Sequence, residues 1–236
     1  MIRGNAMETL NNETLEKNTF SIEWGSFALI EFLVSERHNI GSKFVSCLDI
    51  GSGTGTHAAI LQGAGLEVST LDQHSSAATY QTSFLAHNFK QQFDIIHCSH
   101  TIEHQRNVGL FLDKIFDLLT EHSILILSAP KHNPLTMIEG HLNCFIMPYL
   151  LQHLIYAGFD CKKGKIISAA EIENAAIVSK DLSFQTSERE QNGYKWNDKL
   201  AARSPVELKP LRFTKGQVIF YNCSIFQECD GEANLL

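Results

Sequence analysis

The sequence contains no long hydrophobic run. No apolar stretch approaches the ~20 residues that a helix needs to span a bilayer. The opening residues, MIRGNAMETLNNETLEKN, have no apolar segment of the kind found in a secretory signal. Internal repeats and low-complexity tracts are absent as well. These absences disfavour a membrane-spanning or secreted protein, and we expect a cytoplasmic one.

Cysteine motifs are also missing. The chain has six cysteines, but none of them form a C-x-x-C pair. Cys47 and Cys98 lie within apolar, strand-like runs, where a reduced cysteine behaves as a small hydrophobic residue. The pattern argues against a disulfide framework and against a zinc site built from thiolates.

Positive charge is scarce. The 19 lysines and arginines are outnumbered by 26 acidic residues, which gives a net charge of −7. This balance disfavours a broad nucleic-acid-binding surface, so the expected partner is a small molecule. A length of 236 residues with 44% hydrophobic residues suits a single α/β domain. The sequence leaves the oligomeric state open.

A glycine-rich stretch at residues 45–57, VSCLDIGSGTGTH, organises the rest of the chain. An apolar run that ends in an acidic residue and breaks into alternating glycines predicts a buried strand turning tightly into a helix. Gly51, Gly53 and Gly55 have no side chain to keep a ligand away from the backbone. The helix that follows would direct its free N–H groups into the same space. The stretch therefore predicts a site for a nucleotide-like ligand.

Strand-like and helix-like segments alternate after this stretch, which predicts a mostly parallel sheet covered on both faces. Helical spacing or end signals indicate helices over residues 21–37 and 54–63, one capped by Asn107, and one running from Pro148 to Gly158. The predicted strands are residues 45–50, 66–72, 80–84, 93–99, 123–129, 163–168, 174–179 and 217–226.

The carboxyl ends of parallel strands are where ligands gather in an open sheet. This rule selects the glycine loop, Asp72 after the second strand, and the segment SHTIEH that follows strand 93–99. Asp72 lies about twenty residues beyond the first glycine, a distance at which a carboxylate can bind both hydroxyls of a ribose. The spacing alone does not separate a dinucleotide from an adenosine-containing sulfonium cofactor.

The ordered motifs LDIGSGTG, FDIIHCSHTIEH and LLTEHSILILSAP, with Asp72 between the first two, resemble those of class I S-adenosylmethionine-dependent methyltransferases of the type 11 or type 23 branch. A dinucleotide fingerprint would place its third glycine at position 56, where this chain has Thr56. The resemblance covers about residues 45–160. It implies a Rossmann-like, mostly parallel seven-stranded sheet with helices on both faces and an antiparallel strand near the C-terminus.

The resemblance also implies the cofactor, S-adenosylmethionine, and the residues that bind it. In the family, the glycine loop holds the methionine and ribose portions, and the second acidic residue binds the ribose hydroxyls. The implied cofactor-binding residues are Asp49, Gly51, Ser52, Gly53, Gly55, Asp72 and Ser99. The adenine contact departs from the family pattern, because residues 80–85 read YQTSFL and supply no acidic residue; residues 82–85 are the candidates.

Methyl transfer to a hydroxyl depends on alignment and is helped by a nearby base. Histidine, with an unperturbed pKa of about 6.5, suits that role. The predicted catalytic residues are His100, Glu103 and His104, with His104 preferred as the base. In a competing interpretation, Glu103 and His104 only cap the next helix or bond within the crevice.

A metal is an alternative use of the same residues. Residues at i, i+3 and i+4 meet on one side of a helical turn. With His141 added, His100, Glu103 and His104 resemble the metal site of Hen1-type small-RNA 2′-O-methyltransferases. Quinone-pathway O-methyltransferases have a similar Glu-x-x-Glu-His sequence. Histidine suits zinc, manganese or iron better than magnesium.

We therefore expect an S-adenosylmethionine-dependent O-methyltransferase of a small molecule or saccharide. The alternatives are nitrogen methylation, a metal-assisted RNA 2′-O-methyltransferase, and a non-catalytic protein that kept the cofactor-binding fold. Residues 1–40 are predicted to form a helical cover and residues 41–236 the methyltransferase domain. Acceptor contacts are expected from residues 1–40, 131–147 and 180–215. Trp24, Phe27 and His97 are interpreted as core residues, and Asp49 as either a loop anchor or a cofactor contact.

Overall fold

A computed structural model describes residues 24–133, 135–169, 172–190, 198–205 and 219–224. Its helices are α1 (Ser26–Ser35), α2 (Thr56–Gly63), α3 (Val108–Leu118), α4 (Met147–Ala157) and α5 (Asp198–Arg203), with short 3-10 helices at Ile102–His104 and Thr186–Glu190. Its strands are β1 (Ser46–Ile50), β2 (Glu67–Leu71), β3 (Phe93–Ser99), β4 (Leu119–Pro130), β5 (Phe159–Ala169), β6 (Glu173–Lys180) and β7 (Ile219–Tyr221).

The strands form one sheet in the order β2-β1-β3-β4-β6-β5-β7. Strands β2, β1, β3 and β4 are parallel, as the alternating helices and strands predict. Strand β6 runs antiparallel to both β4 and β5, and β7 runs antiparallel to β5. The prediction of a mostly parallel α/β sheet is confirmed. The expectation of one antiparallel strand near the C-terminus has to be extended to two, β6 and β7.

The strand predicted over residues 80–84 does not form. Six strands have five or more residues, and β7, with three, is the seventh. At residue 80 there is only an isolated bridge to Leu71. The carbonyl oxygens of Phe84, Leu85 and His87 instead accept hydrogen bonds from the Lys114 ammonium group of α3. Because these carbonyls are satisfied by a side chain, the segment folds as turns against α3.

Helix packing buries apolar residues on both faces of the sheet. One cluster contains Phe111, Ile115 and Leu154 from α3 and α4, and the other contains Leu29 and Phe32 from α1. The two clusters hold the central strands rigidly, so side chains at the strand ends are presented from a fixed base. Among the described helices, none has the length and apolar character needed to cross a membrane.

Helix ends agree with the sequence at some positions and differ at others. Gly158 ends α4 in the left-handed conformation, with φ of 102°, and Pro148 stands in its first turn, as predicted. Asn107 is the N-cap residue of α3, as predicted, but its side chain makes no capping hydrogen bond. Helix α1 is shorter than predicted, and residues 1–23 of the predicted cover segment lie outside the described residues.

Candidate active site

The glycine loop joins β1 to α2 through three residues with positive φ. The φ angles are 73° at Gly51, 51° at Gly53 and 84° at Gly55. A side chain at Gly51 would also collide with the loop after β3, because a Cβ there would lie 2.0 Å from Thr101 Oγ1. Gly51 is therefore required both by its conformation and by the close approach of Thr101.

The outer part of the loop fits a nucleotide-like ligand. Apart from the adjoining residues of the loop, no described residue has an atom within 4 Å of a Cβ at Gly53 or Gly55, so a ligand can approach the backbone there. Gly55 immediately precedes the first turn of α2, whose N–H groups favour polar or anionic groups. Ser52 is partly exposed in the same loop, where its carbonyl accepts a hydrogen bond from Gly55.

Asp72 lies beside this loop, as its spacing predicts. Its carboxylate accepts hydrogen bonds from the backbone N–H groups of Gly53 at 3.0 Å, His74 at 2.7 Å and Ser75 at 2.9 Å. Partial burial pushes the pKa of Asp72 upward, but these three donors outweigh it and hold the pKa below its ordinary value. The group is thus a fixed negative charge at the edge of the glycine loop.

Asp49 is buried beneath the loop and does not reach its surface. Its exposed fraction is 2%, and its Oδ1 accepts a hydrogen bond from His97 Nδ1 at 2.7 Å. His97 is the buried, bonded core residue that the sequence predicts. Asp49 Oδ2 has no hydrogen-bond partner in the described part of the chain. The hydrogen-bonded pair supports the loop from beneath.

Ser99, the last residue of β3, is held by its neighbours. Its hydroxyl donates to the carbonyl of Trp24 at 3.0 Å and accepts from the hydroxyl of Ser128 at 3.0 Å. Gly25 passes so close that a Cβ at this position would lie 2.1 Å from Ser99 Oγ. The residue predicted to contact the cofactor therefore also fixes the N-terminal segment over the carboxyl end of the sheet.

The turn after β3 brings the three predicted catalytic residues together. His100 has a φ of 48°, unusual for a residue with a side chain, and Glu103 and His104 lie in the 3-10 helix that follows. Glu103 Oε1 is 3.6 Å from His104 Nε2 and 3.9 Å from His100 Nδ1. The carboxylate thus lies between the two imidazoles.

Glu103, the acid among these three residues, is almost completely buried. It is 1% exposed, and its Oε2 lacks a hydrogen-bond partner among the described residues. Burial raises the pKa of Glu103, while His100, His104 and His132 oppose part of that rise. The geometry therefore disfavours an isolated negative charge on Glu103 and favours a cation or proton beside it.

His104 is oriented by a loop that follows β4. Its Nδ1–H donates to the carbonyl of Gly140 at 2.8 Å, which leaves the Nε2 lone pair on the side of Glu103. The backbone N–H groups of Leu142 and Asn143 donate to the carbonyl of Glu103, which ties the loop to the turn. This loop lies within residues 131–147, from which acceptor contacts are expected.

Two residues of the site escaped the sequence prediction. Glu173, the fully buried first residue of β6, accepts a hydrogen bond from Gly25 N–H, and its Oε2 is 3.4 Å from His100 Nε2. The available signal was an acidic residue, Glu173, at the start of the strand-like segment ENAAIV. His132 Nε2 lies 3.4 Å from His141 Nδ1, and only the folding of the loop brings these two together.

The possible metal ligands differ from the predicted set of four. Ligand atoms of Glu103, His104 and His141 lie within 4.8 Å of one another. His100 is not part of this group; its Nε2 lies 3.4 Å from Glu173 Oε2 and its Nδ1 lies 3.9 Å from Glu103 Oε1. Burial lowers the pKa of His141, and the neighbouring His104, His132 and His100 lower it further, which favours the neutral form that binds metals.

Comparison with known proteins identifies the family of the chain. The profile of a family described as a methyltransferase domain matches residues 25–177, more than half of the 236-residue chain. No curated protein matches the chain.

Solved structures share the fold. The 1,6-didemethyltoxoflavin N1-methyltransferase of Burkholderia thailandensis, which contains S-adenosylhomocysteine, has a TM-score of 0.52 at 16% identity over 65% of this chain and 79% of that one. A sugar N-methyltransferase from Streptoalloteichus has a TM-score of 0.51 at 14% identity over 77% and 97%. A TehB-like methyltransferase from Corynebacterium glutamicum has a TM-score of 0.50 at 13% identity over 72% and 94%.

The glycine loop and the neighbouring Asp72 suit the nucleoside part of a cofactor, and the family match is consistent with this. The backbone is open to a ligand at Gly53 and Gly55, and a fixed carboxylate stands beside them. The chain belongs to the methyltransferase domain family and is a class I methyltransferase whose cofactor is S-adenosylmethionine.

Proposed function

We propose that the protein methylates a hydroxyl group of a small molecule or saccharide. The observation that carries this proposal is the fixed pair of His104 and buried Glu103. Gly140 holds the proton of His104 on Nδ1, so Nε2 is left as an acceptor 3.6 Å from the Glu103 carboxylate. A hydroxyl acceptor must lose a proton during transfer, and this pair can take it.

His104 is the proposed base. When bound, S-adenosylmethionine would supply an electrophilic methyl group to the acceptor oxygen, with the thioether S-adenosylhomocysteine as the leaving group. His104 takes the hydroxyl proton at Nε2 and becomes an imidazolium. Glu103 then stabilises that cation across 3.6 Å, in a setting where burial strengthens the attraction. The side chain of His104 is 46% exposed, so an acceptor can reach it.

His100 is proposed to bind the acceptor next to the base. Both of its ring nitrogens face carboxylates, Glu173 at 3.4 Å and Glu103 at 3.9 Å. These contacts fix the ring, and 18% of its side chain is exposed. The next residue, Thr101, packs against Gly51, which places His100 close to the cofactor loop.

The residues proposed to hold the cofactor divide into two groups. Gly51, Ser52, Gly53 and Gly55 shape the loop, and Asp72 offers its carboxylate to the ribose hydroxyls. Asp49 and Ser99 act from behind this surface, because Asp49 is bonded to His97 and Ser99 to Trp24. We also propose the predicted division into a cover segment to residue 40 and a methyltransferase domain beyond it.

The test combines an acceptor screen with a histidine variant. Purified protein with radiolabelled S-adenosylmethionine is offered phenols, sugars and amines, and the methylated atom is identified by NMR. We expect His104→Ala to reduce turnover of a hydroxyl acceptor by about 10²-fold or more, because general-base catalysis contributes on that scale. Calorimetry should show unchanged cofactor affinity.

His122→Ala is the matched control, since His122 is an exposed histidine near the opposite end of β4. It should leave turnover unchanged. Turnover by His104→Ala equal to that of the parent protein would refute the base. Methylation only at nitrogen would refute the hydroxyl acceptor.

Metal-assisted O-methylation is the second candidate, favoured by the grouping of Glu103, His104 and His141. A carboxylate and two imidazoles suit a first-row transition ion, and the Gly140 carbonyl orients His104 as outer partners of metal ligands commonly do. A bound cation would polarise the acceptor hydroxyl in place of a base. The ligand atoms, up to 4.8 Å apart, would have to draw closer to a metal at about 2.1 Å.

Titration of chelator-treated protein with Co²⁺ distinguishes the metal-assisted mechanism from general-base catalysis by His104. A site would give an absorption band in the visible region that His141→Ala abolishes and His122→Ala preserves. Full turnover after chelation, with no such band, would exclude the metal and leave His104 as the base.

A further inference from the structure

Trp24 is not the core residue that the sequence suggests. Its exposed fraction is 57%, whereas Ala28, Leu29 and Phe32 of the adjoining helix α1 are buried. Its ring lies beside His100, with centroids 5.1 Å apart and planes at 51°. A large aromatic residue thus stands partly uncovered next to the proposed catalytic turn.

The position of Trp24 is fixed from three sides. Its carbonyl accepts the Ser99 hydroxyl, and the next residue donates its N–H to the buried Glu173. Gly25 has a φ of 90° and leaves no space for a Cβ against Ser99. The backbone that carries the exposed ring is therefore held by hydrogen bonds to the last residue of β3 and the first residue of β6.

Fold stability does not account for this arrangement. An indole that remains more than half exposed contributes little burial energy, and Glu173 Oε1 is buried with no hydrogen-bond partner among the described residues. A buried oxygen of this kind costs about 1–3 kcal/mol. Backbone contacts that hold an apolar ring at the edge of a polar site are those expected of a binding surface.

We propose that Trp24 is the stacking surface for the acceptor, and that the acceptor is a cyclic molecule with a flat face, a sugar or an aromatic ring. Such a face packs on the indole, and the ring hydroxyls then extend toward His100 and His104. An acyclic polyol offers the same hydroxyls without the face. This inference rests on the proposed function and adds the class of acceptor.

The test labels the protein with 5-fluorotryptophan in a Trp196→Phe background, which leaves Trp24 as the one fluorinated residue of the two tryptophans. The protein is saturated with S-adenosylhomocysteine and titrated with methyl β-glucopyranoside, catechol or sorbitol. We expect a saturable ¹⁹F shift with at least one ring compound and none with sorbitol. The two ring probes distinguish a sugar from an aromatic acceptor.

Saturation-transfer NMR on the bound ring probe then compares variants. Trp24→Leu should weaken its binding roughly three- to tenfold, the range for loss of an aromatic contact, and Trp24→Phe should restore part of it. Tyr149→Leu is the control, since Tyr149 is also 57% exposed but lies on α4. It should bind the probe as the parent does.

No shift with either ring compound, or an equal shift with sorbitol, would overturn the inference. Failure of the proposed function would be detected separately, because that function is measured by methyl transfer and not by the ¹⁹F shift. A ring-specific shift at Trp24 without transfer to any hydroxyl would refute hydroxyl methylation and leave the stacking surface in place.

Discussion

Gly51→Ala should destabilise the protein through both its backbone conformation and a steric clash. Gly51 has a φ of 73°, and an added Cβ would lie 2.0 Å from Thr101 Oγ1 and 3.0 Å from Thr101 Cβ and Cγ2. Thr101 has little freedom to move, because its hydroxyl lies within hydrogen-bonding distance of the carbonyls of Ile50 and Ser99. The new methyl group therefore meets a fixed side chain.

The expected loss has two parts. The left-handed conformation costs a residue with a Cβ about 1–2 kcal/mol, and forcing extra volume into a packed site costs about 1–3 kcal/mol. Gly51→Ala should thus reduce the free energy of unfolding by about 2–5 kcal/mol. Gly53 has a φ of 51°, and beyond its chain neighbours no described residue lies within 4 Å of its Cβ position. Gly53→Ala should therefore lose only the conformational part.

Urea unfolding of both variants measures the conformational and steric parts of the lost free energy of unfolding. Calorimetry with S-adenosylmethionine measures how far each substitution weakens cofactor binding by the loop. In a double-mutant cycle, Thr101→Ala should return part of the stability lost in Gly51→Ala, because it removes Oγ1 and Cγ2. Equal losses of stability in Gly51→Ala and Gly53→Ala, or a cycle without coupling, would refute the clash with Thr101.

Two further predictions concern the acids of the site. Glu103→Gln should raise the free energy of unfolding at pH 8 by about 1–3 kcal/mol, because it removes a poorly partnered buried charge. The folded-state pKa of Glu103 is raised, so this gain should disappear as the pH falls toward the ordinary value of 4.5; urea titrations at several pH values would show a gain independent of pH if this is wrong. Asp72→Asn should weaken S-adenosylmethionine binding about ten- to a hundredfold. Because the pKa of Asp72 is held below 3.8, the loss measured by calorimetry should be equal at pH 5 and pH 8, and a loss confined to pH 8 would contradict it.

The sequence could predict the cofactor loop because its signals are local. Three alternating glycines, an apolar run before them and an acid about twenty residues later are read along the chain without knowing its tertiary contacts. All three glycines have positive φ, and Asp72 bonds to Gly53. The turn from His100 to His104 follows from the same rule about strand ends.

Features that depend on distant residues were missed or misjudged. Glu173 joins the site because β6 runs antiparallel beside β4, so the start of one strand meets the end of the other. The strand at residues 80–84 fails because Lys114, about thirty positions later, takes its neighbouring carbonyls. Trp24 looked like core because its spacing matched that of the α1 residues, and only its tertiary contacts leave the ring exposed.

The places where the chain breaks local rules coincide with the proposed site. In the described part of the chain, two non-glycine residues have positive φ, and one of them is His100. Glu103 and Glu173 are buried carboxylates, each with one oxygen that finds no partner among the described residues. At Glu103 an amide side chain would be more stable, whereas the Glu173 carboxylate accepts the Gly25 N–H. Their shared proximity to His100 is better explained by the need to hold that ring and its neighbours for an acceptor than by the demands of folding.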